Sequence, residues 1–439
     1  MKAQTAFVLS SMQKPQASSS FSALANVAFF RLWVAALASG SAVAADQTAA
    51  RWALIHFSES AFVISLLSST AALPFLLFTL PAGFLADAVD RRLLLRTINV
   101  WQALVAGALA FLGFRGMLSP ATLLVGSLAL GVGFAFNAPV WSALIPDVVP
   151  EDELPSAATL GSLQMNLSGI VGPVLGGFLV AVAGPPVVFG LNALGFLGIV
   201  AALGGDHHRR SSAKPPSGTG GLRRSLGDAL NYARGSGAVR AVLARNFLFA
   251  LFVSAIPALM PVIALKDLRL DPAMLGLLFA SMGTGSVLGA LVLHGWARRY
   301  FSTNRLTFVA SVLLAAIYLW MALIQHNPSC LLVAAMAGAA WTLAASELWL
   351  AAQRAIAPWA RGRLNAAVLM LSQGAMAVGG IVWGAAAEGF GTRATLLAIG
   401  ALFVASLALA RRWSLHPLDL PAPPAPRWTP SGAESVWVD

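Results

Sequence analysis

The chain has 439 residues, of which 58% are hydrophobic and only 10% are charged. An ordinary soluble domain has about 25% charged residues. A chain this apolar cannot cover its surface with polar side chains, which excludes a soluble enzyme. At about 20 residues for each crossing helix, the chain has room for about 12 membrane spans. The composition therefore predicts an all-α polytopic membrane protein.

The formal net charge is +11, but the Lys and Arg residues stand in short gaps between apolar runs. A nucleic-acid-binding protein would gather them on one polar face, so no nucleic-acid partner is expected. The single cysteine, Cys330, excludes an intramolecular disulfide and a cysteine metal cluster.

Apolar runs that are separated by Gly, Pro or charged residues predict twelve transmembrane helices in two six-helix bundles. In chain order, the predicted spans lie near residues 29–55, 60–85, 93–114, 119–143, 157–183, 186–205, 242–265, 273–296, 305–325, 329–352, 363–387 and 393–412.

The distribution of Lys and Arg predicts the orientation. If the N-terminus is cytoplasmic, the predicted outside loops carry Arg115, Lys266, Arg269 and Arg393, and the far more numerous basic residues of the other gaps lie inside. Cytoplasmic loops are enriched in Lys and Arg. Both termini are therefore expected in the cytoplasm, with the chain in the cell membrane, as in a bacterial inner membrane.

A long polar segment after the sixth predicted span divides the chain. Within it Leu222, Leu226 and Leu230 share one face at helical spacing, which is typical of an amphipathic helix at the cytoplasmic interface. The alternative is a solvated tether between the two bundles. The expected organisation is a cytoplasmic tail (1–25), a first bundle (26–205), a cytoplasmic linker (206–240), a second bundle (241–412) and a cytoplasmic tail (413–439).

An internal repeat supports this division. With an offset of 208 residues, Gly172 meets Gly380 and Gly176 meets Gly384, each pair in the fifth span of its half. Two parallel six-helix repeats with a substrate pathway between them are a recurring plan among transporters.

A charged motif follows the second predicted span, over Gly83-Phe-Leu-Ala-Asp87-Ala-Val-Asp90-Arg91-Arg92. A glycine at the end of a helix lets the chain turn tightly. Asp87 is placed to accept hydrogen bonds from backbone or Arg donors. An ordinary basic turn would not require two aspartates.

This motif resembles the cytoplasmic loop signature of the major facilitator superfamily. A weaker match, which lacks the aspartate, follows the eighth span at Gly295-Trp-Ala-Arg298-Arg299. The resemblance continues through Asn137–Asp147, Glu151–Pro155, Arg361–Asn365 and Ser372–Met376. Together these segments are similar to the exporter branch that includes the enterobactin exporter and macrolide-efflux proteins, over about residues 25–412.

The resemblance implies a conformational lock. The motif aspartate, here Asp87, is expected to hold the two halves in the outward-facing state by contacts with the eleventh helix, where Arg361 and Arg363 are the nearest basic residues. The predicted lock comprises Gly83, Asp87, Asp90, Arg91, Arg92, Arg361 and Arg363.

The resemblance also covers the fifth span, whose Gly169, Gly172, Pro173 and Gly176 are similar to the antiporter signature of the superfamily. Glycines four residues apart permit close helix contact, and proline removes a regular helical hydrogen bond. Plain helix packing explains this pattern as well as an antiport device does.

Charged residues within apolar spans are the candidates for proton coupling: Asp46 in the first span and Glu347 in the tenth. A charge at the centre of an isolated membrane helix costs about 2.5–3.5 kcal/mol, so it should face a cavity or a partner. Asp46 is the first choice, with a structural ion pair to Arg51 or to another helix as the alternative; Gln47 is better spaced to contact Arg51. For Glu347 the alternative is a structural pair with cytoplasmic Arg residues.

Polar and aromatic residues of other spans are expected to line a substrate cavity, with Trp providing apolar contact and amides providing orientation. The candidates are Gln47, Arg51, Asn137, Trp141, Gln164, Asn166, Trp341 and Gln373. For the amide and Trp residues among them, the alternative is a role in helix packing or at the membrane interface.

The sequence contains no Gly-x-x-x-x-Gly-Lys-[Ser/Thr] motif, which argues against an ATP-driven pump within this chain. No cofactor, metal site or enzyme activity is expected. The favoured function is export of a small amphipathic molecule, such as a drug or siderophore-like metabolite, by a monomeric, lipid-embedded, proton-coupled antiporter working by alternating access. An importer or lipid flippase of the same fold, or a non-transporting membrane receptor or scaffold, stays open.

Overall fold

The computed structural model describes residues 21–58, 60–204, 231–323, 329–357 and 361–410. Within these ranges the chain is almost entirely helical. The first half contains α1 (Val27–Phe57), α2 (Ala61–Ala88), α3 (Arg91–Phe114), α4 (Pro120–Val148), α5 (Leu154–Ala183) and α6 (Pro185–Ala202).

The second half repeats this plan with two interrupted helices. The helix α7 joins Gly237–Val253, Ala255–Pro261 and a π-helical turn, Val262–Asp267, and α8 joins Pro272–Leu288, a π-helical turn, Gly289–Leu293, and His294–Tyr300. The remaining helices are α9 (Thr303–Leu323), α10 (Ser329–Ala355), α11 (Arg361–Phe390) and α12 (Thr392–Ala410).

In the described part of the chain, eleven of these helices are long and apolar enough to cross a membrane by length and composition. The twelfth, α12, contributes a shorter apolar stretch, Thr392–Ala408. The helices agree with the predicted all-α polytopic architecture. The largest difference at a helix start is at α7, which begins at Gly237 rather than near residue 242.

Short polar side chains begin several helices by accepting hydrogen bonds from backbone N–H groups that have no helical partner. Asn26 accepts from the first turn of α1, and Ser60 accepts from the first turn of α2. Asp90 and Asp271 do the same for α3 and α8. These caps place the start of each of these helices at the polar residues that separate the apolar runs of the sequence.

Gly83 does not end its helix, so that part of the prediction is wrong. The helix α2 continues to Ala88, and the chain leaves it at Val89 in an extended conformation. A Cβ atom added at Gly83 would meet nothing within 4 Å. The turn between α2 and α3 is instead made by Val89 and by the cap that Asp90 provides.

The two halves meet mainly along two helix pairs, α2 with α11 and α5 with α8, with smaller contacts of α2 with α7 and of α1 with α8. Within the first half, α1 packs against α5 and α6, α2 against α4, and α3 against α4 and α6. Within the second half, α8 packs against α10, α9 against α10 and α12, and α7 against α11. The helices of the interface leave a cavity between the bundles.

Packing corrects the register of the internal repeat by one residue. Gly172 packs against Ser41 and Ala44 of α1, and Gly379 packs in the same way against Leu251 and Ser254 of α7. Gly172 and Gly379 are 207 residues apart, not 208. A shift of one residue rotates a side chain by about 100° around a helix, so the offset of 208 pairs residues on different faces.

The corrected offset also relates the two interfaces between the halves. Gly177 of α5 lies against Pro272 of α8, and Gly384 of α11 lies against Ser65 of α2. Both glycines stand where a Cβ atom would collide with the opposite half. Small residues at matching positions thus allow the two bundles to approach closely.

Candidate functional site: a charged cavity between the two halves

A cavity of about 720 Å³ lies between the bundles and is lined by residues of both. A volume of 300–1,000 Å³ is typical of pockets for small molecules. Seven of the residues predicted for a cavity or for proton coupling line it: Asp46, Gln47, Arg51, Asn137, Asn166, Trp341 and Gln373.

The remainder of the wall is mainly apolar. Aromatic rings and flexible thioethers from both halves contribute: Phe75, Phe134, Met165, Phe279, Met282 and Met376. Met side chains adapt their shape to irregular partners. This lining suits the apolar body of an amphipathic molecule and leaves a few polar groups to orient it.

Asp46 lies on α1 and is buried, with 5% of its surface exposed. Its Oδ1 atom has no hydrogen-bond partner among the described residues. Asn192 of α6 lies beside it, yet the side-chain oxygen and nitrogen of Asn192 are also buried without a partner in the described structure. The cavity wall therefore contains a buried carboxylate and a buried amide whose polar atoms no described residue fully satisfies.

Arg51 follows one and a half turns later on α1 and does not form an ion pair with Asp46. Its Nη2 atom donates to Gln47 Oε1 at 3.4 Å, which is the contact that the spacing favoured. Its guanidinium lies over the ring of Phe279 on α8, with 4.6 Å between Cζ and the ring centroid. The alternative in which Asp46 pairs with Arg51 is not realised in this structure.

Two of the predicted cavity residues do not line the cavity. Trp141 packs beside the cluster of Leu32, Leu95 and Val140 within the first half. Gln164 Nε2 donates to the carbonyl of Ala36 at 3.0 Å, so this amide joins α5 to α1. Their helix faces point into packing contacts, and sequence position alone did not reveal which face is which.

Glu347 lies in the interface between α8 and α10 rather than on the cavity wall. Its side chain is fully buried, and its Oε1 atom is 2.8 Å from His294 Nε2 and 3.3 Å from Arg298 Nε. Both partners are on the last segment of α8, directly after the π-helical turn. The alternative of a structural pair with an arginine is realised with Arg298, and His294 was not foreseen.

In the loop motif, the side chains of Asp90 and Arg91 form hydrogen bonds. Arg91 donates to Asp147 Oδ2 at 2.9 Å and to the carbonyl of Ala143 at 3.2 Å, which joins the start of α3 to the end of α4. Asp90 accepts from the backbone of Leu93. Arg92 borders a small surface pocket beside α1.

The other members of the predicted lock are Asp87, Arg361 and Arg363. Their side chains lie outside the part of the structure that is described, so the expected contact between them stays a prediction. Their backbones belong to the end of α2 and the first turn of α11.

The glycine and proline motif of α5 packs against two neighbours. Gly172 and Gly176 face α1, where a Cβ atom would reach Ala44 or Ala45. The carbonyls of Gly169 and Pro173 face α8, where they crowd Gly283 and Gly276. Gly169 and Pro173 also line the cavity, so this motif forms both helix contacts and cavity wall.

Contacts between the halves cover one side of the cavity, at the end where α1 finishes and α2 begins, here termed the α1–α2 end. There Glu388 Oε2 of α11 accepts from the backbone of Ala61 at 2.7 Å. Ser68 of α2 donates to the carbonyl of Pro257 of α7 at 3.1 Å. On the opposite side of the cavity, Met165 is 73% exposed.

Sequence reasoning missed Asn192 and Phe279, which face Asp46 and Arg51. An asparagine within the apolar sixth span was a visible signal for Asn192. Phe279 carried no such signal, since phenylalanine is common in every span.

A family model described as "Transmembrane secretion effector" matches residues 18–435. Macrolide efflux protein A of Streptococcus pyogenes is 24% identical over 274 residues, and the chain spans 65% of the length of that relative and 60% of its own. Multidrug efflux pump Tap of Mycolicibacterium fortuitum is 26% identical over 422 residues, with 89% of this chain and 97% of the pump covered. Enterobactin exporter EntS of Citrobacter koseri is 27% identical over 218 residues, with 48% of this chain and 49% of the exporter covered.

Solved transporter structures share the fold. A bacterial homolog to the human lysosomal transporter Spinster, in an inward-facing and unoccupied conformation, superposes with a TM-score of 0.71 at 16% identity, over 90% of this chain and 98% of that one. A bacterial homologue of the iron transporter ferroportin in the inward-facing state gives a TM-score of 0.66 at 15% identity, over 88% and 98%. The resemblance seen in the loop motif is confirmed: this multi-pass membrane protein belongs to the transmembrane secretion effector family of major facilitator superfamily transporters.

Proposed function

We propose that the protein is a secondary active transporter that exports a small amphipathic molecule by alternating access, in exchange for protons. The observation that carries this proposal is Asp46, a buried carboxylate on the wall of the cavity between the halves. The relatives named for macrolide efflux, multidrug efflux and enterobactin export support export as the direction.

Asp46 has the properties that a proton carrier needs. An ionised carboxylate without a cationic partner is costly inside a membrane, and binding a proton removes its charge. In the described part of the chain no Lys, Arg or His nitrogen lies within 4.0 Å of this carboxylate. Its charge can therefore be neutralised by a proton or by a bound substrate, and competition between them would couple the two fluxes.

The architecture supports alternating access. The two bundles contact each other through α2 with α11 and α5 with α8, and the contacts at the α1–α2 end cover the cavity. With both termini in the cytoplasm, this end faces outward and the cavity faces the cytoplasm. Rocking of one bundle against the other would expose it to the outside. In this scheme Asp87, with Arg361 and Arg363, locks the opposite, outward-facing state.

Purified full-length protein in liposomes tests the proposal. The probes are ethidium, a fixed amphipathic cation that an acidic lumen does not trap, and Nα-dansyl-lysine, which carries one ammonium and one carboxylate. With an acidic lumen and an alkaline buffer, proton efflux should drive uptake of a transported probe above equilibrium. Protein-free liposomes give the leak, and collapse of the pH gradient should abolish accumulation.

The variant Asp46→Asn should lose gradient-driven accumulation, because an amide does not release a proton at these pH values. It should still bind the probes, with an affinity reduced only by the loss of the contact with the cationic group. Asp152→Asn, in the exposed loop before α5, is the matched control and should behave as wild type. Accumulation by Asp46→Asn at the wild-type ratio would remove Asp46 as the proton carrier. Absence of flux for both probes with the wild-type protein would favour a receptor or scaffold.

A further inference from the structure

Two opposite charges that form no ion pair with any described residue line the same cavity. The three ion pairs found in the described part of the chain join Arg91 to Asp147 and Glu347 to His294 and Arg298. Asp46 and Arg51 take part in none of them, although both line the cavity. Unpaired charges in a membrane protein are expensive and mark functional sites.

The helix itself keeps these two charges apart. Residues five positions apart on an α-helix differ by about 140° in direction and by about 7.5 Å along the axis. Asp46 is directed towards Asn192 of α6, whereas Arg51 reaches Gln47 and Phe279. The result is one negative and one positive group at separate points of the wall.

Each charge keeps capacity for a ligand. The Oδ1 atom of Asp46 and both side-chain polar atoms of Asn192 are buried and lack a hydrogen-bond partner within the described chain. The guanidinium of Arg51 lies over the ring of Phe279 and contacts Gln47 weakly, and its Nε atom has no described partner. A guanidinium has five N–H donors, so Arg51 can still donate to a carboxylate.

We propose that this cavity selects a dipolar amphipathic molecule, which carries a cationic amine and an anionic carboxylate on one apolar body. The amine would bind Asp46 and Asn192, the carboxylate would bind Arg51, and the apolar body would contact the Phe, Met and Trp side chains of the wall. This inference rests on the proposed transport function and specifies the class of its substrate.

A substrate with only one charge fits less well. A simple cation would neutralise Asp46 and leave Arg51 without a counter-charge, and a simple anion would do the reverse. Either complex would keep one uncompensated charge inside the membrane, whereas a dipolar ligand neutralises both. The spacing of the two residues along α1 favours charges separated by several bonds over charges on adjacent atoms.

A matched series of dansyl compounds tests the inference by fluorescence titration of the purified full-length protein. Nα-dansyl-lysine carries both charges, separated by four methylene groups. Dansylcadaverine is the same molecule without the carboxylate, dansyl-norleucine is the same molecule without the amine, and N-pentyl-dansylamide lacks both. We expect Nα-dansyl-lysine to bind the wild-type protein at least about tenfold more tightly than either singly charged compound.

Single substitutions should remove the two preferences separately. Asp46→Asn should abolish the advantage of the amine and keep that of the carboxylate, and Arg51→Gln should do the opposite. Asp152→Asn and Arg393→Gln, both at exposed positions, are the matched controls. Binding of N-pentyl-dansylamide, together with the unfolding temperature, reports whether each variant is folded.

The inference would be overturned if dansylcadaverine or dansyl-norleucine bound the wild-type protein as tightly as Nα-dansyl-lysine. It would also be overturned if Arg51→Gln left the preference for a carboxylate intact. Gradient-driven uptake of ethidium in the liposome assay would then still support the proposed transport function. Failure of the dipolar preference is thus distinguishable from failure of transport.

Discussion

The guanidinium of Arg51 lies over the ring of Phe279, with 4.6 Å between Cζ and the ring centroid. Arg51 belongs to α1 of the first half and Phe279 to α8 of the second, so this contact joins the two bundles. Both residues also line the cavity. A contact that is both part of the binding site and a link between the halves can connect occupancy of the cavity to movement of the bundles.

Phe279→Leu should weaken the closed α1–α2 end. A cation–π contact contributes about 0.5–2 kcal/mol, and its loss would raise the population of molecules open at that end. Spin labels at Phe57 and Phe390, both exposed near that end, should report longer distances in the variant. Phe279→Tyr keeps the aromatic face and should retain the wild-type distribution. Identical distances in Phe279→Leu and wild type would show that the contact does not stabilise closure.

Gly276→Ala should disturb the interface between α5 and α8. A Cβ atom at this position would collide with the carbonyl of Pro173. Overpacking of this kind costs about 1–3 kcal/mol, and the bundles can relieve it by moving apart. We expect a lower unfolding temperature and a larger open fraction at the α1–α2 end. Gly198→Ala, where a Cβ atom meets nothing within 4 Å, is the control and should change neither quantity.

Glu347→Ala should destabilise the second bundle. Glu347 is fully buried and is contacted by both His294 and Arg298. Removal of one partner from a buried polar contact costs about 1–3 kcal/mol. Because the side chain of Arg298 is 36% exposed, water can replace part of the interaction that Arg298 loses with Glu347. Thermal unfolding followed by tryptophan fluorescence should show a clear decrease for Glu347→Ala. Glu151→Gln, in an exposed turn, should unfold at the wild-type temperature.

Arg91 and Asp147 should act as a pair. Their 2.9 Å contact joins the start of α3 to the end of α4 and is about one fifth exposed on each side. Because ion pairs near the surface are weak, a double-mutant cycle with Arg91→Gln and Asp147→Asn should give a coupling of about 0.5–1 kcal/mol. The measurement is the free energy of unfolding of the wild type, the two single variants and the double variant. Strictly additive effects would mean that the pair does not stabilise the fold.

The sequence was sufficient to predict the helical architecture and to identify the charged residues that lie within the apolar helices. Long apolar runs form helices because a membrane leaves no other partner for backbone polar groups. Asp46, Arg51 and Glu347 could be identified as candidates because a charged residue inside an apolar run is recognisable without the three-dimensional structure. The contact of Gln47 with Arg51 was also predictable, because it depends only on helical spacing within α1.

The direction of each side chain depended on the tertiary structure. Trp141 and Gln164 face helix contacts rather than the cavity, and the glycine repeat has an offset of 207 rather than 208 residues. A shift of one residue along a helix changes the direction of a side chain by about 100°. An alignment error of one residue therefore assigns a side chain to another face of the helix.

The partners of the buried charges were also decided by the fold. Glu347 contacts His294 and Arg298, about fifty residues earlier in the chain, because α8 and α10 pack together and a π-helical turn precedes His294. Asp46 lies beside Asn192 of α6, and not against its neighbour Arg51. Sequence position revealed which residues are charged, but only the packing of helices distant in sequence determined that Glu347 is paired while Asp46 and Arg51 face a common cavity.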